Sequence, residues 1–214
     1  MTARADRSYG GLSLEDRRED RRRRFEAAAV MTFAHKGYAQ SSVADICSAS
    51  KLSRRQFYEL YRDKEHMMRV VYDDINNRAR RVVIEAIERH DPTTADDFIR
   101  SAIRAYVQSF GDRDRIRIAF IEAVGVSADF EKHRQETRES WASLIEALVE
   151  RSEVVLGDGS SDHGTLGIAP WQALAFIGSV NAFVYEWATA ESTPSMDELT
   201  ETLALILTAL VSAG

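Results

Sequence analysis

The chain has 214 residues, of which 44% are hydrophobic and only three are proline, enough apolar material for one large or two small domains and few helix breakers. A single cysteine, Cys47, excludes an internal disulfide and a multi-cysteine zinc site, and fits a reducing compartment. The net charge of -6 argues against a nucleic-acid binder until its distribution is read: residues 1–64 hold 14 Lys/Arg against 9 Asp/Glu, a balance of +5, while residues 65–214 hold 14 against 25, a balance of -11, so one end suits a polyanion and the larger end is repelled by one.

In chain order, residues 1–20 have little apolar content and a Gly-Gly pair, and read as a flexible arm with no signal peptide. The run DRREDRRRR (16–24) either begins a helix or trails along a phosphate backbone. A helix is predicted from about 21 to 36, with Phe25, Ala29, Val30, Phe33 and Ala34 on one face and Gly37 ending it. Ser42 caps a short second helix, roughly 43–49, whose inner positions are Val43, Ile46 and Cys47. Ser53 caps a third, about 54–61. Successive residues lie 100° apart on an α-helix, so Phe57, Leu60 and Tyr61 share an inner stripe. Arg54, Tyr58 and Arg62 share an outward one, with Arg55 and Glu59 beside it. Two short helices joined by a tight turn, the second with an exposed Arg/Tyr face, form a helix-turn-helix layout. It places the N-terminal side chains of the second helix to reach base edges in a major groove.

A long helix follows at about 64–89, broken by His90-Asp91-Pro92, then helices at about 94–110, 113–124, 128–153, 170–190 and 195–212. The Gly/Ser-rich stretch 157–167 reads as a loop. The last two helices are apolar on more than one side, and Ala175, Gly178, Ser179 and Ala182 would let another helix approach closely, so a homodimer is expected there. The longest apolar run, LALILTALVSAG, falls short of the roughly 20 residues of a membrane span, and a cytoplasmic protein with no membrane partner is expected. No catalytic or metal constellation stands out: Glu131, His133 and Glu136 read as surface charge, and no phosphate-binding glycine loop follows a strand. No cofactor and no enzymatic activity are expected.

The stretch FEAAAVMTFAHKGYAQSSVADICSASKLSRRQFYELYRDKEHM resembles the DNA-binding domain of the tetracycline repressor (TetR) family in Phe33, Lys36-Gly37-Tyr38, Ser42-Val43, Ile46, Ser53, Phe57-Tyr58, Tyr61 and Lys64-Glu65. It departs at Lys51, where the family usually has glycine in the turn. The resemblance implies an all-α fold: a flexible arm (1–20), a three-helix helix-turn-helix DNA-binding domain (21–66), and a helical effector-binding and dimerisation domain (67–214). It implies a ligand-responsive regulator, a repressor, binding a palindromic double-stranded operator as a homodimer through the last two helices. The DNA-contacting set is Ser42, Ser53, Arg54, Arg55, Gln56, Tyr58 and Lys64. Arg54, Arg55 and Gln56 are expected on bases, and Ser42, Tyr58 and Lys64 on phosphates. Glu59 is expected to pair with Arg55 or Arg62. Tyr106, Phe110, Phe120, Trp141, Asn181 and Tyr185 are the candidate lining of a pocket for a lipophilic small molecule, neutral or cationic given the acidic C-terminal half. The competing classes are a DNA-binding regulator without an effector and an enzyme or carrier built on the helical bundle.

Overall fold

The computed structural model describes residues 13–89, 94–110, 112–156, 167–189 and 195–212, and contains no strand among them. The chain divides into two compact units, one ending at Val71 and the other beginning at Tyr72. Residues 1–12 of the flexible arm expected at 1–20, the break at His90-Asp91-Pro92 and residues 157–166 of the loop lie outside the described residues.

Helix α1 (Leu14–Lys36) begins seven residues earlier than the apolar spacing predicts, so residues 14–20 are helical. The cause is a capping box. The Ser13 hydroxyl accepts from Asp16 N–H at 3.0 Å, and the Asp16 carboxylate accepts from Ser13 N–H at 2.9 Å. Arg23–Glu19 and Arg24–Asp20 pairs one turn apart support this exposed segment. The apolar face starts only at Phe25, where the helix gains something to pack on: Phe25, Ala28, Ala29, Phe33 and Ala34 are buried.

Helices α2 (Val43–Ser50) and α3 (Arg54–Tyr58) start the same way, with Ser42/Asp45 and Ser53/Gln56 boxes. Lys51, between them, adopts φ 56°, ψ 38°. This is the left-handed conformation that glycine takes most easily, and here a lysine holds it. Helix α3 is shorter than predicted. Leu60 and Tyr61 both donate backbone N–H to Phe57 O, closing a tight turn instead of adding helix. Phe57 is fully buried, edge-on to Phe25 at 5.5 Å, and tilted against Tyr61 at 5.3 Å. Burial of such a ring contributes about 1.5–3 kcal/mol, so this trio anchors α3 to α1.

Helix α4 (Lys64–Arg89) has Met67 and Met68 fully buried in its first turns and Val83 and Ile87 buried further on. In the second unit, α5 (Ala95–Ser109) packs on α9 (Met196–Ser212), and α8 (Pro170–Thr189) on both α7 (Ala128–Leu156) and α9. The helix predicted at 113–124 is two pieces: α6 (Arg113–Arg117) and a wider π-helical turn, Ile118–Glu122. The core is built from Val83, Ile87, Phe98 and Ala105, and from Ala79, Trp141 and Ile177. No helix among the described residues is long and apolar enough to cross a membrane.

Candidate functional site

Helix α3 presents two unlike sides. Phe57 points into the core, while Arg54, Arg55 and Tyr58 are exposed, the Arg55 side chain at 89%. A helix only five residues long has no stability of its own. Its position is fixed by Phe57 and by the Ser53/Gln56 box, in which Gln56 Oε1 accepts from both Ser53 N–H (2.9 Å) and Ser53 O–H (3.0 Å). Glu59 accepts from Arg21 at 3.3 Å and lies 3.4 Å from Arg55 Nε, while Arg62 pairs with Asp63. Of the two partners expected for Glu59, the structure has Arg55, and adds Arg21.

Around this helix the first unit is braced by charged groups bonded to backbone. Arg24 donates to Ser50 O at 2.8 Å, at the C-terminus of α2 where carbonyls lack intrahelical partners. Ser42 O–H and N–H both donate to Asp45, which also accepts from Lys36 at 2.8 Å. The Lys36 and Ser42 bonds hold the Asp45 carboxyl down at about 2. Lys64 Nζ donates to Tyr38 O and Ser41 O, each at 2.8 Å, and lies over the Tyr38 ring. Burial lowers the pKa of this ammonium. Three residues of the expected DNA-contacting set (Arg54, Arg55, Tyr58) are thus exposed on α3. Four (Ser42, Ser53, Gln56, Lys64) are engaged in caps or in bracing. Arg21 and Arg24 were not singled out, because their partners lie 38 and 26 residues away in sequence.

The second unit contains an apolar cavity of about 60 Å³, walled among others by Tyr106, Trp141, Phe176, Ile177, Leu203 and Leu207. A second space of about 30 Å³ shares Tyr106, Trp141 and Ile177 with it and has a more polar wall, with Asn76, Arg134, Arg138 and Asn181 beside Ala119 and Phe120. Asn76 is locked in place: it accepts from Trp141 Nε1 at 3.0 Å and donates to Tyr72 O at 2.9 Å. Burial pushes the Tyr106 phenol upward. Of the six candidate lining residues, Tyr106 and Trp141 line both spaces, and Phe120 and Asn181 line the polar one. Phe110 lines neither and packs behind, against Tyr106 at 5.1 Å and Phe120 at 5.3 Å. Tyr185 lines neither and is 46% exposed, because its register on α8 turns it to the outer face.

That outer face carries Trp171, Ala175, Gly178, Ala182 and Tyr185, spaced alternately four and three apart, with Leu205 exposed on α9. A Cβ built on Gly178 meets nothing within 4 Å. His133 Nε2 lies 2.6 Å from Asp73, and Glu136 lies 3.9 Å from its other nitrogen. No cluster of three His, Cys, Asp or Glu among the described residues could hold a metal ion.

Residues 27–71 match the family model of bacterial regulatory proteins, tetR family. Over 140 residues the chain is 26% identical to the HTH-type transcriptional regulator EthR of Mycolicibacterium smegmatis, a match covering 65% of this chain and 64% of that protein's length. Its fold is similar to that of a bacterial regulatory protein of the tetR family from Rhodococcus RHA1 (TM-score 0.66, 20% identity, 89% of this chain and 96% of that one). It is also similar to that of the transcriptional regulator FadR from Bacillus subtilis, solved in complex with stearoyl-CoA (TM-score 0.71, 15% identity, 87% and 97%).

Proposed function

We propose that this chain, whose residues 27–71 match the family model of bacterial regulatory proteins, tetR family, is a cytoplasmic repressor that binds a palindromic operator as a homodimer and is released by a small lipophilic effector. The observation that carries the DNA-binding part is α3 itself. Arg54, Arg55 and Tyr58 are exposed on a helix fixed from behind by the buried Phe57. Arginine can bond guanine O6 and N7 with two N–H groups at once, so Arg54 and Arg55 are assigned to base edges. Tyr58 is assigned to a phosphate, which fixes register more than sequence. Ser42 and Ser53 lie at helix N-termini, where N–H groups and hydroxyls suit phosphate oxygens. The outer face of α8 and α9 supports a dimer, since small residues at helical spacing let a second copy pack closely.

Effector release rests on the apolar cavity and on α4. That helix is unbroken from Lys64, directly after the α3 turn, to Val83 in the cavity wall. A molecule forced into the cavity must part the helices around it, because the space is far below the roughly 300–1,000 Å³ of ordinary ligand pockets. A packed core resists this continuously and yields by switching arrangement, which is how occupancy would tilt α4. The same small volume favours a second reading, a DNA-binding regulator without an effector. A gel-shift titration of genomic fragments recovered with the protein tests the first part. A thermal-shift screen followed by competition with the bound fragment separates the two readings. A ligand that binds and lowers DNA affinity supports the repressor with an effector, and no responsive ligand supports the other.

A further inference from the structure

We propose that the small polar space beside the apolar cavity is a head-group subsite for an oxyanion, so that the effector is an amphiphile with an aliphatic tail and a carboxylate-like head. This deepens the effector reading above and rests on it. The argument starts at Arg134. Its side chain is 13% exposed, and its Nη1 donates to both Glu131 oxygens, at 2.7 and 3.0 Å. Its Nε is buried and makes no hydrogen bond, while the Tyr72 phenol in the same wall interacts with the guanidinium. Guanidinium is an obligate donor, so a buried N–H without an acceptor is a cost that an incoming oxygen removes.

The surroundings fit an anion. Arg134 and Arg138 both line the space, and no Asp or Glu lines it. Glu131, the carboxylate bonded to Arg134, is held down first by the Gly125 N–H that it accepts from at 2.8 Å, and then by Arg134 and Arg138, so its charge is already satisfied on the side away from the space. The acidic excess of residues 65–214, which favoured a neutral or cationic ligand from sequence, does not extend into this wall. Asn76 is already bonded on both sides, so it shapes the space and leaves recognition to the arginines and Asn181. The π-helical turn Ile118–Glu122 supplies Ala119 and Phe120 to the wall, and such turns recur at functional sites. Tyr106, Trp141 and Ile177 line both spaces, so the polar space adjoins the apolar cavity across these three side chains, and a ligand with its tail in one and its head in the other displaces them.

The test is calorimetric titration of the full chain with decanoate and with decan-1-ol, which share a tail and differ in charge. Decanoate should bind about ten- to a hundredfold more tightly, the range for a hydrogen bond to a charged group. In Arg134→Gln, shown to be folded by its melting curve, the preference for decanoate should shrink, with Arg138 left to hold the head. Equal binding to the wild type, binding of neither probe, or an undiminished preference in folded Arg134→Gln overturns the subsite. The wild-type comparison stands alone if the variant does not fold. Gel shift with the same preparations reads operator binding separately, so loss of the subsite and loss of the DNA-binding reading are distinguishable.

Discussion

Lys64 donates to the carbonyl oxygen of Tyr38 at 2.8 Å, and its ammonium stands 4.1 Å from the centre of the Tyr38 ring. With the second bond, to Ser41 O, this lysine ties the start of α4 to the segment entering α2. Lys64→Ala is therefore expected to lower stability by about 1–3 kcal/mol in urea melts. The salt dependence of operator binding should change little. A drop in the salt slope of about one unit with stability unchanged would return Lys64 to the phosphate contacts.

Arg55 and Tyr58 should fail differently. Arg55→Ala removes a proposed base contact while Glu59 keeps Arg21, so the fold should persist. It should cost roughly 1–3 kcal/mol of binding and relax preference at one operator position. Tyr58→Phe should weaken all sequences alike. Affinities measured on operators randomised one position at a time separate these patterns.

Lys51 occupies a conformation with φ 56° that costs a side-chain-bearing residue roughly 1 kcal/mol. Lys51→Gly should raise the stability of the first unit by about that amount, read by chemical denaturation, with operator affinity little changed.

Asp45 gives a pH prediction. Its carboxyl is lowered in the folded chain from 3.8 to about 2, so its contribution is complete above the unfolded value and is lost as pH falls through the folded one. Asp45→Asn should lower stability at neutral pH and flatten the acid-side loss between about 4 and 2, measured by urea melts across that window.

Much of the architecture was legible because its signals are local. Ser42 and Ser53 mark helix starts through partners three residues away, and Phe25, Phe33 and Phe57 recur on inner faces. The early start of α1 was missed because its support, Ser13/Asp16, lies ahead of any apolar periodicity. The braces at Arg24 and Lys64 were not legible, since each joins groups 26 residues apart and no periodicity records such a pair. Tyr185 and Asn181 sit four residues apart on α8, yet one is outward and the other lines the polar space. On a helix with apolar residues on several sides, pattern alone does not say which side faces inward.

A dimer reading two half-sites through α3 is seen by footprinting on a bound genomic fragment, paired with light scattering. Two protected half-sites related by a dyad, centred about 34–36 Å or slightly more apart and bound by a dimer, are expected. Leu205→Glu, a change at an exposed α9 position, should convert that dimer to a monomer with much weaker protection. A single asymmetric protected site bound by a monomeric wild-type chain would contradict dimeric reading through α3.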